Sequence, residues 1–247
     1  VLTIQSQVVH GRVGNRSAVF ALEINGIECD PLNTVQFSTN TAYPYRRGTT
    51  MDLDQFSSVL EGLQLNGIFP KITHLLTGYI GDAKIIEEII QLRKLLDPDV
   101  HFLCDPVLGD NGNLYLANEC FEVMKKVLVP TATTICPNAY EAMWLTDLTM
   151  NNVDELIEIV KQLHIMGPKN VVISSTEWPK RCTFFSFENG KYQYAIITPS
   201  FDRKFNGPGD LFSSLLLANM IKYPGDYAKI CQNTMNVIYA VLRTTYE

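Results

Sequence analysis

Short runs of aliphatic and β-branched residues alternate along this chain with windows whose apolar positions recur every three to four residues. That alternation predicts βαβ units around a mostly parallel sheet, an α/β fold. Residues 1–5 read as a first strand, then a polar turn holds Gly11 and Gly14, and a helix over 16–25 is closed by Gly26. A second strand is expected over 27–33, a helix over 54–66 with Asp52 or Asp54 as cap, and a buried strand over 73–77. The helix expected over 82–96 carries Ile85, Ile86, Ile89, Ile90 and Leu92 as its apolar stripe. Strands at 100–104 and 133–136 run into Asp105-Pro106 and Pro137-Asn138. A helix over 155–166 ends at Gly167-Pro168, ahead of a strand at 170–174. Segments 181–187 and 192–197, joined through Glu188-Asn189-Gly190-Lys191, read as an antiparallel hairpin. A helix over 210–222 and another from Asp226 complete one domain spanning residues 1–247.

In such sheets ligands bind at the carboxyl ends of the strands. Polar clusters fall just past several predicted strand ends: Gln5-Ser6-Gln7, Asn33-Thr34, Thr77-Gly78-Tyr79, Asp105-Pro106, Pro137-Asn138 and Ser174-Ser175-Thr176. Their convergence argues for one site at one edge, although post-strand loops are polar in general. The densest chemistry lies in Lys204-Phe205-Asn206-Gly207-Pro208-Gly209-Asp210, which runs straight into an apolar helical pattern. Two glycines let the backbone turn tightly, and a helix N-terminus stabilises a phosphate or a developing oxyanion. Asp210 at its mouth is placed to take a proton from an attacking hydroxyl, the combination that phosphoryl transfer to an alcohol requires. The competing reading is a plain N-cap.

Two further segments carry acids. Cys104-Asp105-Pro106-Val107-Leu108-Gly109-Asp110 sets two carboxylates around a tight loop, able to hold Mg²⁺ beside a nucleotide or simply to form a turn with Asp110 in solvent. Asn138 and Glu141 share the first-turn face of a helix, where they would reach a metal-bound water or phosphate oxygen, or else form a capping box.

Composition narrows the class. The chain has 247 residues and a net charge of −6, and its adjacent basic residues, such as Arg46-Arg47 and Lys125-Lys126, occur only as isolated pairs, which argues against nucleic-acid binding. Six cysteines are scattered without C-x-x-C spacing and read as reduced core residues of a cytoplasmic protein. No apolar run approaches the roughly 18 residues of a membrane span, so no membrane partner is expected. The four histidines show no ligand spacing, and Trp144 and Trp178 read as packing on the core or its rim. On the last helix Val237, Ile238, Tyr239, Val241 and Leu242 read as a core stripe.

The segments Val1-Leu2-Thr3-Ile4-Gln5-Ser6-Gln7-Val8, Gly11-Arg12-Val13-Gly14-Asn15-Arg16 and Asn33-Thr34-Val35-Gln36-Phe37-Ser38 closely resemble the start of pyridoxal kinases. Leu76-Thr77-Gly78-Tyr79, the 105–110 segment, Pro137-Asn138 with Glu141, and Gly207-x-Gly209-Asp210 continue that resemblance in order over nearly the whole chain. The resemblance implies a ribokinase-like three-layer α/β/α sandwich and ATP-dependent phosphorylation of the 5′-hydroxyl of pyridoxal, pyridoxine or pyridoxamine. Asp210 would be the base, with Gly207 and Gly209 holding the transferring phosphoryl group. Ser6 and Thr41 would bind the substrate ring and its substituents, between walls from Val13 and Tyr79. Asp105, Asn138, Glu141, Ser174, Ser175, Asn206, Gly207 and Gly209 would contact the nucleotide. Asp105, Asp110 and Glu141 would organise Mg²⁺ (or Zn²⁺), and Ser174 and Ser175 would lie near K⁺ or another monovalent cation. The resemblance also implies a flap over residues 43–51 that shields the substrate, and a homodimer.

Three features depart from the family pattern. Pro208 stands between the two glycines where Thr or Ala is usual, and proline has no N–H to offer a phosphoryl oxygen. Cys136 replaces a Thr before Pro-Asn, and the stretch from Gly190 to Gly207 is short. Two other functions remain compatible with the motifs: a hydroxymethylpyrimidine kinase, or a catalytically weak pyridoxal phosphate-binding protein. A dinucleotide oxidoreductase would need G-x-G-x-x-G after the first strand, which this chain lacks.

Overall fold

The computed structural model describes residues 1–176, 181–199, 201–203 and 205–247; Trp178 and Lys204 lie outside them. The strands are β1 (Leu2–Val8), β2 (Asp30–Phe37), β3 (Gly48–Thr50), β4 (His74–Thr77), β5 (His101–Cys104), β6 (Gly109–Asp110), β7 (Asn113–Leu114), β8 (Thr134–Ile135), β9 (Asn170–Thr176), β10 (Cys182–Phe187) and β11 (Tyr192–Ile197). The helices are α1 (Asn15–Glu23), α2 (Leu53–Leu65), α3 (Ala83–Leu95), α4 (Asn118–Val123), α5 (Val129–Thr131), α6 (Ala139–Thr146), α7 (Val153–Ile165), α8 (Pro208–Lys222) and α9 (Tyr227–Tyr246). One sheet runs β11-β10-β9-β8-β5-β4-β1-β2-β3, and β6 and β7 form a separate small hairpin. The pairings from β2 through β1, β4, β5 and β8 to β9 are parallel, and antiparallel β3 and β10–β11 close the two flanks.

The two-residue period of the strands sorts the core into two layers. Leu2, Ile4, Leu75, Phe102, Val171 and Ile173 point to a cluster completed by Phe56 of α2, the isoleucines of α3, and Leu145 and Ile159 of α6 and α7. Leu76, Leu103 and Val172 point the other way, onto Ala18 and Leu22 of α1, Leu216 of α8 and Ile230 of α9. Each such fully buried aliphatic side chain contributes roughly 1.5–3 kcal/mol over an exposed one. The result is the three-layer α/β/α sandwich expected, and all six cysteines are free and buried in it.

Several boundaries differ from expectation. β1 continues to Val8 and β2 begins at Asp30, so Asn33 and Thr34 lie within a strand rather than past its end. α8 begins at Pro208, and its cap is Gly207 in the left-handed region (φ 83°), so Asp210 is not the N-cap. The helix α4, its continuation through a π turn at Met124–Leu128 and α5 were not anticipated, nor were β3, β6 and β7. Among the described residues no helix is long and apolar enough to cross a membrane.

Candidate active site

The carboxyl ends of β1, β2, β4, β5 and β9 meet the N-termini of α1, α6 and α8 at one edge. Ser6 sits where the β1–β2 register shifts between Gln5 and Gln7, an irregularity of the kind that re-aims a side chain. Gly14, the cap of α1, crosses directly over it with φ 56°; a Cβ there would stand 2.0 Å from the Ser6 carbonyl oxygen. A buried network holds this corner. Gln5 Nε2 donates to Thr3 Oγ1 (2.8 Å), which donates to Asn15 Oδ1 (2.9 Å), and Asn15 Nδ2 donates to Asn33 Oδ1 (2.7 Å).

The N–H of Gly14 donates to the carboxylate of Asp210, tying this corner to the first turn of α8. Burial pushes the Asp210 carboxyl up to about 6, while the N–H of Gly14 and its own N–H pull it down. Gly207 packs on the same corner: a Cβ would stand 2.0 Å from the Arg12 carbonyl oxygen and 3.1 Å from Val13 Cγ1. At Gly209, by contrast, a Cβ would meet nothing within 4 Å, so open space fronts the helix N-terminus. A phosphoryl group fits such a space, lined by backbone N–H and favoured by the helix dipole.

Asp105, buried at the end of β5, lies beside Asp210 and Glu141, and its carboxyl is pushed well up by burial and by those two charges. Hydrogen bonds from Ser213 and the Val107 N–H oppose that shift. Glu141 Oε1 accepts the N–H of Leu108 (2.8 Å) and Gly109 (3.3 Å), and Oε2 accepts that of Asn138 (2.8 Å). Asn138 Oδ1 in turn accepts the Glu141 N–H, so the expected capping box exists. Asn138 Nδ2 also donates to the Gly109 carbonyl at 2.8 Å, fastening α6 to the 105–110 loop. Asp110 is exposed on the β6–β7 hairpin, with its oxygens taken by the N–H and Nδ2 of Asn111. Among the described residues no three acidic, His or Cys side chains are grouped to hold a metal ion on their own.

At the β1–β4 part of this edge, Tyr79 is half-buried against the α2–α3 core layer, and its phenol is raised by burial and lowered by nearby Arg46. Thr34 Oγ1 donates to the Tyr79 carbonyl (3.3 Å), which fixes this wall to β2. Thr41 is exposed at the base of the 43–51 segment, whose end forms β3 against β2. That segment is held over the edge by His10 Nε2 against Tyr43 Oη (3.1 Å) and by Arg46 over the Phe37 ring (4.9 Å).

On the far side of the 207–209 turn opens a cleft of about 120 Å³. Ser174, Ser175 and Thr183 line one wall, Pro208, Gly209 and Phe212 the floor, and Ile238, Tyr239 and Leu242 of α9 the opposite wall. Ser174 is anchored by its N–H to the Pro137 carbonyl (2.9 Å), and Asn206 is exposed before the turn. The α9 stripe is therefore divided: Ile238 is buried, Val237 and Val241 are exposed, and Tyr239 and Leu242 face the cleft.

Residues 53–232 match the family model described as phosphomethylpyrimidine kinase. The chain is 37% identical to the pyridoxal kinase of Dictyostelium discoideum, covering 100% of this chain and 86% of that protein. It is 34% identical to the pyridoxal kinase of Homo sapiens, covering 100% and 85%. The chain belongs to the pyridoxal kinase family. A solved pyridoxal kinase from Leishmania donovani, in complex with ADP and pyridoxamine, superposes with a TM-score of 0.93 at 31% identity, over 100% of this chain and 90% of that one.

Within the pyridoxal kinase family, this chain has an unusual turn before α8. Pro208 occupies the first helical position, where its φ suits the helix but no N–H is available. The Leu211 N–H bonds to the Gly207 carbonyl (3.2 Å), which leaves those of Gly209 and Asp210 in the first turn. Cys136 is buried, and burial near Asp105 and Glu141 holds its thiol protonated, so it offers no anion to the site.

Proposed function

We propose that this chain transfers the γ-phosphoryl group of ATP to the 5′-hydroxyl of pyridoxal, pyridoxine and pyridoxamine. The observation that carries the reading is the Gly14–Asp210 hydrogen bond, which joins the Ser6 corner to the phosphoryl turn and leaves one carboxylate between them. A flat ring enters between Val13 and Tyr79, with Ser6 and Thr41 as its polar partners, and residues 43–51 close above it to exclude water. Asp210 accepts the hydroxyl proton as the oxygen bonds to the γ-phosphorus and the bond to the β–γ bridging oxygen breaks, releasing ADP. The N-terminus of α8 takes the charge on the transferring group, and the adenine side of the nucleotide occupies the cleft against Tyr239 and Leu242.

Mg²⁺, or Zn²⁺ in its place, fits beside Asp105, where Glu141 and Asp210 bring two more acids close. Asp105 is its direct ligand in this reading; Glu141, with its oxygens already accepting backbone N–H, and Asp110 act through water. Bound there, the cation offsets phosphate charge. Asn138 and Asn206 serve the nucleotide, and Ser174 and Ser175 a phosphate or K⁺. A homodimer in the cytoplasm extends the same family reading.

The test is ADP release from purified protein with MgATP and K⁺, with and without pyridoxal, together with detection of pyridoxal 5′-phosphate. Pyridoxal-dependent ADP with matching product supports the reading; vitamer binding without ADP release would replace it with the binding-protein alternative. Because the family model is that of phosphomethylpyrimidine kinases, hydroxymethylpyrimidine is the comparison substrate, and faster turnover on it would reassign the acceptor.

A further inference from the structure

Resting on that kinase reading, the surroundings of the phosphoryl turn hold one more charged group. Arg12 is exposed, yet its backbone carbonyl lies so close to Gly207 that a Cβ there would stand 2.0 Å from it. Its guanidinium rests 5.5 Å from the ring centroid of Phe20, itself exposed on α1. Among the described residues it makes no ion pair. An exposed cation–π contact is a weak tether. The long side chain therefore starts beside the turn, is solvated on its far side, and has no stronger partner to give up.

The turn itself is short of one donor, since Pro208 has no N–H. The acids on its inner side, Asp105 and Asp210, add negative charge rather than offsetting it. Arg46 is committed elsewhere, over Phe37 and beside Tyr79. We infer that Arg12 is a catalytic residue: on nucleotide binding it leaves Phe20 and donates its planar N–H fork to the transferring phosphoryl oxygens, replacing the donor that Pro208 lacks. A guanidinium suits the task because it stays charged and donates in a fixed geometry to phosphate oxygens. The bonds made and broken, and the proton's path to Asp210, are unchanged; Arg12 adds only charge stabilisation as the phosphoryl group separates from ADP.

The experiment compares wild type, Arg12→Ala, Arg12→Lys and Phe20→Ala, with circular dichroism as a control for folding. Turnover and binding of MgADP are measured for each, and binding of MgADP plus aluminium fluoride, which mimics the phosphoryl group in transit, is measured with pyridoxal present. Arg12→Ala should lower kcat by roughly 10²–10³, with KM for pyridoxal changed by less than about threefold, and weaken the fluoride complex while MgADP alone binds as before. Arg12→Lys should recover part of the loss, and Phe20→Ala, which removes only the resting place, should keep turnover. In a Pro208→Thr background the cost of Arg12→Ala should shrink. Unchanged kcat in Arg12→Ala, or equal binding of the fluoride complex in wild type and variant, overturns the inference. Absence of turnover in wild type overturns the kinase reading instead, and the fluoride comparison then still decides the role of Arg12.

Discussion

The Gly14 N–H donates to the Asp210 carboxylate, joining the cap of the first helix to the first turn of the eighth. Two opposing effects meet there. Burial favours the protonated acid, and the hydrogen bonds favour the anion; burial prevails, leaving the group near 6 instead of its ordinary 3.8. At neutral pH the carboxylate is therefore ionised yet more basic than a surface aspartate, the state a general base needs.

Replacing that base tests the assignment directly. Asp210→Asn keeps an oxygen acceptor for Gly14 but has little basicity. Steady-state kinetics should show kcat lower by roughly 10²–10⁴, and calorimetry should show MgADP and pyridoxal binding within a few-fold of wild type. Near-wild-type turnover would reduce Asp210 to a structural acid.

The acid limb of the rate profile follows from the same shift. A base must be ionised to accept a proton, so activity rises with pH through the pKa of the group and levels off above it. With Asp210 raised to about 6, kcat/KM should drop tenfold per pH unit below that point. An acid limb near pH 4 would mean that burial does not raise this carboxyl in solution.

Strands β1, β2, β4, β5, β8 and β9 and the long helices were legible because each buries a stripe or a face, and burial imposes a period on the sequence. Ile85, Ile86, Ile89 and Ile90 announce α3 in this way. What was missed has no such period. β3, β6 and β7 are two or three residues long, and their residues are largely exposed. α4 is six residues long and breaks its own periodicity at the following π turn. Candidate residues of the proposed site could be named because their spacing is chemical, Ser174, Ser175 and Gly209 on the cleft among them, but the far side of that cleft could not. Its wall is an apolar stripe on α9, and periodicity alone cannot say whether Tyr239 faces a core or an opening.

Gly207 and Gly209 should respond differently to the same methyl group. Gly207→Ala places a Cβ against the Arg12 carbonyl at a positive φ, so thermal denaturation should show a loss of about 1–3 kcal/mol. Gly209→Ala meets no atom of the protein within 4 Å, and its Tm should stay within a degree or two of wild type. Its Cβ instead intrudes where the phosphoryl group belongs, raising KM for MgATP about tenfold or more. Equal Tm losses in both would refute this division of labour.

Tyr239 is predicted to act on one substrate alone. It lines the cleft beyond the turn and rests against Phe201, with ring centroids 5.8 Å apart. Tyr239→Ala should weaken MgADP by roughly tenfold, the effect of losing about 1.4 kcal/mol of aromatic contact, and leave pyridoxal affinity unchanged. A matching loss for pyridoxal would place the nucleotide elsewhere.

Glu141 tests whether a buried acid held by three backbone donors is favoured or strained. Its carboxyl is raised by burial to about 7 from an ordinary 4.5, even though Asn138, Gly109 and Leu108 all donate to it. A group whose folded pKa lies above its unfolded one contributes stability that is complete below the unfolded value and is lost as pH rises through the folded value. Unfolding followed without nucleotide or metal should therefore show wild type losing ground to Glu141→Gln between about pH 5 and pH 8, by an amount on the order of 1–3 kcal/mol. At the low end of that window the glutamine variant should be the less stable protein, because its amide cannot accept the Asn138 N–H that Oε2 accepts at 2.8 Å. If the gap widens as pH rises, the three N–H donors outweigh burial, and the ionised acid is the form the fold prefers.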